Sequence, residues 1–92
     1  MDGKCTPHID SITPNSGGGS GQNMVINGTC LATTEYVHFE PAQGGEKTSV
    51  SPMTHNDTKI TTVIPALPAG HYDVWVELQD GTPSNKVRIP MG

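Results

Sequence analysis

The chain has 92 residues, enough for one domain, with 5 Lys and Arg against 9 Asp and Glu and a net charge of −4. A face for duplex nucleic acid normally carries a basic surplus, so this balance argues against that role. One-third of the residues are hydrophobic, which allows a modest core and excludes a disordered tail. The 11 Gly and 8 Pro leave no uninterrupted stretch longer than 12 residues. Val and Ile total 13, against 3 Leu and 4 Ala. This disfavours helices and favours short strands joined by turns. No apolar run reaches membrane-spanning length, and the stretch after Met1 is not expected to act as a signal peptide, whether Met1 is a natural start or the first residue of an excised piece.

In chain order, strands are expected at 7–13, 23–29, 35–40, 46–51, 58–64, 71–78 and 85–90. Turn signals separate them: the glycine-rich stretch to Gly21, Pro41 to Gly45, Ser51-Pro52, Pro65 to Gly70, and Asp80-Gly81. Residues 17–21 read as a loop between two paired strands, since only 16 residues precede them. Period-two alternation marks several segments, with Val37 and Phe39 flanking His38, and Val87 and Ile89 flanking Arg88. Tyr72, Val74, Val76 and Leu78 share one parity, and Asp73, Trp75, Glu77 and Gln79 the other. Seven short strands indicate an all-β antiparallel sandwich, with a small barrel as competitor. Asn27-Gly28 is ambiguous, marking either a tight hairpin or a bulge.

Residues 7–14 (Pro-His-Ile-Asp-Ser-Ile-Thr-Pro), Gly18-Gly19, Met24 to Gly28 with Leu31, and Val37-His38-Phe39 form an ordered series. Ile64-Pro65, Leu67-Pro68-Ala69-Gly70, Tyr72 to Val76 and Ser84-Asn85 continue it. In order and spacing this series, over roughly residues 7–89, resembles the IPT/TIG family of immunoglobulin-like domains. The resemblance implies one immunoglobulin-like sandwich over 1–92, with 1–6 frayed or extraneous to the domain, and reads Gly28 as a bulge. Family members serve as modules of cell-surface receptors and secreted bacterial proteins, and as dimerisation domains of transcription factors. None is a catalytic unit by itself. Gly70-x-Tyr72 indicates a tyrosine corner, a structural device in which the hydroxyl bonds the backbone upstream.

Parity predicts a core of Ile9, Ile12, Met24, Ile26, Leu31, Val37, Phe39, Ile60, Ile64, Leu67, Tyr72, Val74, Val76, Val87 and Ile89. If Ile9 faces Ile26, the index sum of 35 also sets Cys5 opposite Cys30, and a disulfide is expected. The alternative is two free thiols. A bridge implies an oxidising compartment, hence an extracellular or cell-surface setting.

His8, His38, His55 and His71 show no ligand spacing and are expected to be solvated. Cys5, His8 and Cys30 lack a fourth zinc ligand, and the carboxylates form no calcium loop. There is no G-x-S-x-G and no phosphate loop, so neither an enzyme nor a cofactor site is expected. The sequons at Asn27 and Asn56 leave glycosylation open.

The expected role is that of a non-catalytic module, a spacer or a docking domain for neighbouring domains, another protein or a glycan. An intracellular dimerisation domain and a carbohydrate-binding module are the alternatives. The candidate binding face carries Trp75, His38 and Arg88, bordered by Tyr36 and Glu77, a composition typical of interaction hot spots. Its competitor is a Trp75 merely covered by Lys86, Arg88 or the 41–52 segment.

Overall fold

A computed structural model describes residues 5–13 and 19–91. Among these there are eight strands and no helix. They are β1 (His8–Thr13), β2 (Asn23–Thr29), β3 (Thr34–Pro41), β4 (Thr48–Val50), β5 (Thr54–His55), β6 (Lys59–Val63), β7 (Gly70–Leu78) and β8 (Val87–Met91). Two antiparallel four-stranded sheets, β1-β2-β6-β5 and β4-β3-β7-β8, face each other. This is an immunoglobulin-like sandwich. It has one strand more than expected, because the segment at 46–58 contributes the short β5 besides β4. Residues 14–18 of the expected glycine loop, and residues 1–4, lie outside the described set.

The core follows the alternation of the strands. Ile9, Ile12, Met24, Ile26, Phe39, Ile60, Val74, Val76 and Ile89 fill the space between the sheets. Leu67 and Val87, expected inside, are only partly buried against the core, whereas Leu78 and Met91 are buried. The tyrosine hydroxyl of Tyr72 donates to the Pro68 carbonyl at 2.7 Å, closing the corner at the start of β7.

The first two strands do not pair as the index sum required. Ile26 faces Ile12, and Ile9 faces Gly28, because the register shifts between Ile9 and Ser11. The bulge therefore lies in β1, around Asp10, and not at Gly28. Gly28 has a different task. A Cβ there would strike the His8 carbonyl oxygen and lie 3.1 Å from the Ile9 Cα, so only glycine allows this backbone approach.

Cys5 and Cys30 are nevertheless bridged, with Cα atoms 5.6 Å apart. Both lie beyond the ends of the paired strands. The bridge forms because Cys30 turns back with φ 61°, a left-handed conformation unusual for a side chain with a Cβ. Cys5, in the stretch expected to fray, is thereby tethered.

Candidate functional site

The outer face of the β4-β3-β7-β8 sheet is built on direct cross-strand neighbours. His38 stands opposite Trp75 on β7 and opposite Ser49 on β4, and Tyr36 stands opposite Glu77. Strand alternation turns all five away from the core. Their side chains then meet. The His38 and Trp75 rings are 5.0 Å apart, and the Tyr36 and His38 rings 5.9 Å. His38 Nε2 is 2.8 Å from Glu77 Oε1, and His38 Nδ1 is 2.6 Å from Ser49 Oγ.

The solvated His38 expected on this face is not found, and Trp75 is covered, as the competing reading of the sequence had it. Trp75 points outward yet is 8% exposed. Lys86 Nζ sits 4.5 Å from its ring centroid and Lys47 Nζ 5.6 Å. Two amphipathic stems thus cover the indole, and their ammonium groups gain the cation–π attraction of the ring. His38, expected to be solvated, is 3% exposed beneath this cover. Both of its ring nitrogens find partners, as a buried imidazole requires.

Arg88 does not cover Trp75. It bonds Asp73, its partner across β7 and β8, with Nε donating to Oδ1 at 3.0 Å. The hydrogen bond from Arg88 holds the Asp73 carboxyl below its ordinary value of 3.8; partial burial opposes this, and the charges of Arg88 and Lys86 add to it. Lys86 also approaches Glu40 at 3.6 Å. Three of the five cations of the chain, Lys47, Lys86 and Arg88, are thus gathered on one face. Of the five expected face residues, Tyr36 remains accessible at 39% exposure and Arg88 is exposed, whereas Trp75 and His38 lie beneath the surface. The sequence reading missed Ser49 and gave Lys47 only as part of a covering segment.

The other histidines behave differently. His8 pairs with Asp10 at 3.0 Å, His55 bonds the Ala32 carbonyl at 2.6 Å, and His71 is exposed. Among the described residues, no group of three or more His, Cys, Asp or Glu is gathered to hold a metal. A shallow cleft of about 240 Å³ lies beside the disulfide, with Thr33, Asp57 and Asp80 in its wall.

The family model for the IPT/TIG domain matches residues 7–89. The chain belongs to the IPT/TIG family. No curated protein matches it. An IPT/TIG domain is an immunoglobulin-like module and is generally non-catalytic.

Proposed function

We propose that this IPT/TIG domain is a spacer and docking module of an extracellular or cell-surface multidomain protein. The observation that carries the reading is the path of the chain. Cys5 enters beside Leu78, at one end of β7, and Met91 leaves beside Gly70, at the other. A module of 44 × 23 × 19 Å, entered and left at opposite ends of its long central strand, holds its two neighbours in a longer chain apart. The Cys5–Cys30 bridge supports the compartment, since disulfides persist where the surroundings oxidise. It favours this reading over an intracellular dimerisation domain. The tilts of 34° and 39° along the Tyr36, His38 and Trp75 rings do not favour a flat sugar platform.

The docking surface in this reading is the outer face around Trp75, presented through Tyr36, Lys86 and Arg88. Trp75→Ala is a poor probe of it, because the indole also covers His38. Tyr36 is exposed, and a photo-crosslinking residue in its place leaves the core untouched. In the full-length chain that crosslinker is expected to trap a neighbouring domain or a separate protein. The same residue at Thr13, on the opposite sheet, serves as the control. Crosslinks from position 13 and none from position 36 would refute the docking face.

A further inference from the structure

The outer face contains an arrangement that spacing and docking do not use. Ser49, His38 and Glu77 stand on three adjacent strands, β4, β3 and β7, with their side chains in one continuous relay. A carboxylate accepts hydrogen bonds and does not donate them, so the contact with Glu77 places the imidazole proton on Nε2. In the neutral ring Nδ1 is then an acceptor, and the Ser49 hydroxyl donates to it across 2.6 Å. A hydroxyl bonded to a base, with that base oriented by an acid, is the general form of an activated nucleophile. The two ring nitrogens are exchanged relative to the usual serine-hydrolase order, but the logic of proton transfer is the same.

The remaining geometry supports the relay. The His38 side chain is 4% exposed and confined between Trp75 and Tyr36, so its ring is held in the orientation that serves Ser49. Ser49 itself is exposed and open to an incoming molecule. It lies on β4, an edge strand of its sheet, so no further strand lies beyond it on that side. Lys47, two residues earlier, holds its ammonium on the same face.

The geometry points to Ser49 Oγ as an activated nucleophile that accepts an acyl or phosphonyl group from an activated ester. Oγ attacks the electrophilic carbon or phosphorus, a new bond to Oγ forms, and the bond to the leaving group breaks. The leaving group departs with the electron pair. The hydroxyl proton passes to His38 Nδ1, the imidazolium is stabilised by Glu77, and the proton then goes to the leaving group or to water. Nothing is oxidised or reduced. The face is open to water and neither Ser49 nor His38 lines the cleft beside the disulfide, so the expected event is one acylation per chain and not rapid turnover.

The test treats the full-length protein, disulfide intact, with a fluorophosphonate probe, which loses fluoride as the Oγ–P bond forms. The label is located by peptide mapping. One label on Ser49 is expected, entering roughly a hundredfold faster than in the same protein unfolded in urea. Ser49→Ala should abolish it; because the change also deprives the buried His38 Nδ1 of its partner, the fold of this variant is verified by circular dichroism. Glu77→Gln and His38→Gln should each slow it. If His38→Gln fails to fold, Glu77→Gln, altered at a side chain one-third exposed, still decides the matter. The proposal is overturned if Ser49 is not labelled, if it is labelled as fast in urea, or if folded Glu77→Gln reacts like the parent. None of these outcomes bears on crosslinking from position 36, so the two readings fail separately.

Discussion

The carboxamide of Asn85 pairs with both polar groups of the Ile9 backbone. Its Oδ1 accepts from the Ile9 N–H at 2.7 Å, and its Nδ2 donates to the Ile9 carbonyl at 3.1 Å. β1 is an edge strand, and on this side Ile9 has no neighbouring strand to complete its hydrogen bonds. One side chain, preceding β8 of the opposite sheet, takes the place of that strand and ties the two sheets together at the mouth of the β1 bulge. Asn85→Ala leaves both groups unpaired and is expected to cost about 1–3 kcal/mol. Asn85→Asp should cost at least as much, because a second oxygen would meet the Ile9 carbonyl. Urea unfolding of the three proteins checks this, with a lowered midpoint at an unchanged slope as the expected result.

The alternation of Val37, His38 and Phe39, and of the 72–78 segment, suffices to assign inner and outer faces, because a strand reverses its side chains at every residue. Pairing register is harder. The extra residue at Asp10 leaves no compositional mark, and it moves the partner of Ile26 from Ile9 to Ile12. The disulfide expectation therefore reached the right pair through a register that does not exist; Cys5 and Cys30 meet beyond the strand ends. On the outer face, parity placed Trp75, His38 and Glu77 together. Parity alone did not decide between a free indole and one covered by Lys86 or the 41–52 segment; the stems of Lys86 and, from that segment, Lys47 bury it. Nor could parity single out Ser49, one hydroxyl among many, until β4 was placed beside β3.

The bridge closes a loop with a sequence separation of 25. In the chain-entropy account a loop of that size stabilises the folded state by about 3–4 kcal/mol. The loop holds β1, the described part of the β1–β2 connection and β2, so reduction frees the edge strand that Asn85 clasps. Unfolding free energies from urea titrations with and without a phosphine reductant should differ by about that amount, seen as a lower midpoint after reduction. Equal midpoints would show that the folded state does not depend on the bridge. Titration of the native protein with a thiol reagent should find no reactive thiol before reduction.

Asp73 and Arg88 give the domain an acid-sensitive pair. The folded-state pKa of Asp73 is depressed, chiefly by its hydrogen bond from Arg88. For a depressed carboxyl, the stabilisation is fully present above the unfolded value near 3.8 and is lost as pH falls through the lower folded value. Unfolding midpoints followed from pH 7 to pH 2 should therefore decline below about pH 4. Asp73→Asn removes the titrating group and should flatten part of that decline. The contribution is small, since Arg88 is largely exposed and solvent screens the pair. An acid profile of Asp73→Asn identical to that of the parent would show that the pair adds nothing.

Thr62 runs against the rule that buried polar groups are satisfied. The residue is 0% exposed on β6, opposite Met24, and its Oγ1 has no hydrogen-bond partner among the described residues. The hydroxyl gives up its water on folding and receives nothing in return. Valine has the same branched shape with a methyl in place of the hydroxyl, and its β propensity suits the strand. Thr62→Val is expected to raise stability by about 1–2 kcal/mol, the cost released when an unpaired hydroxyl is removed. In a domain of this size each kcal/mol raises Tm by about 4–8 °C. Thr62→Ser supplies the opposite control, since it keeps the orphan hydroxyl and deletes a packed methyl, and it should lower Tm. A Thr62→Val protein less stable than its parent would mean that the hydroxyl is bonded after all, and that β6 is anchored through it.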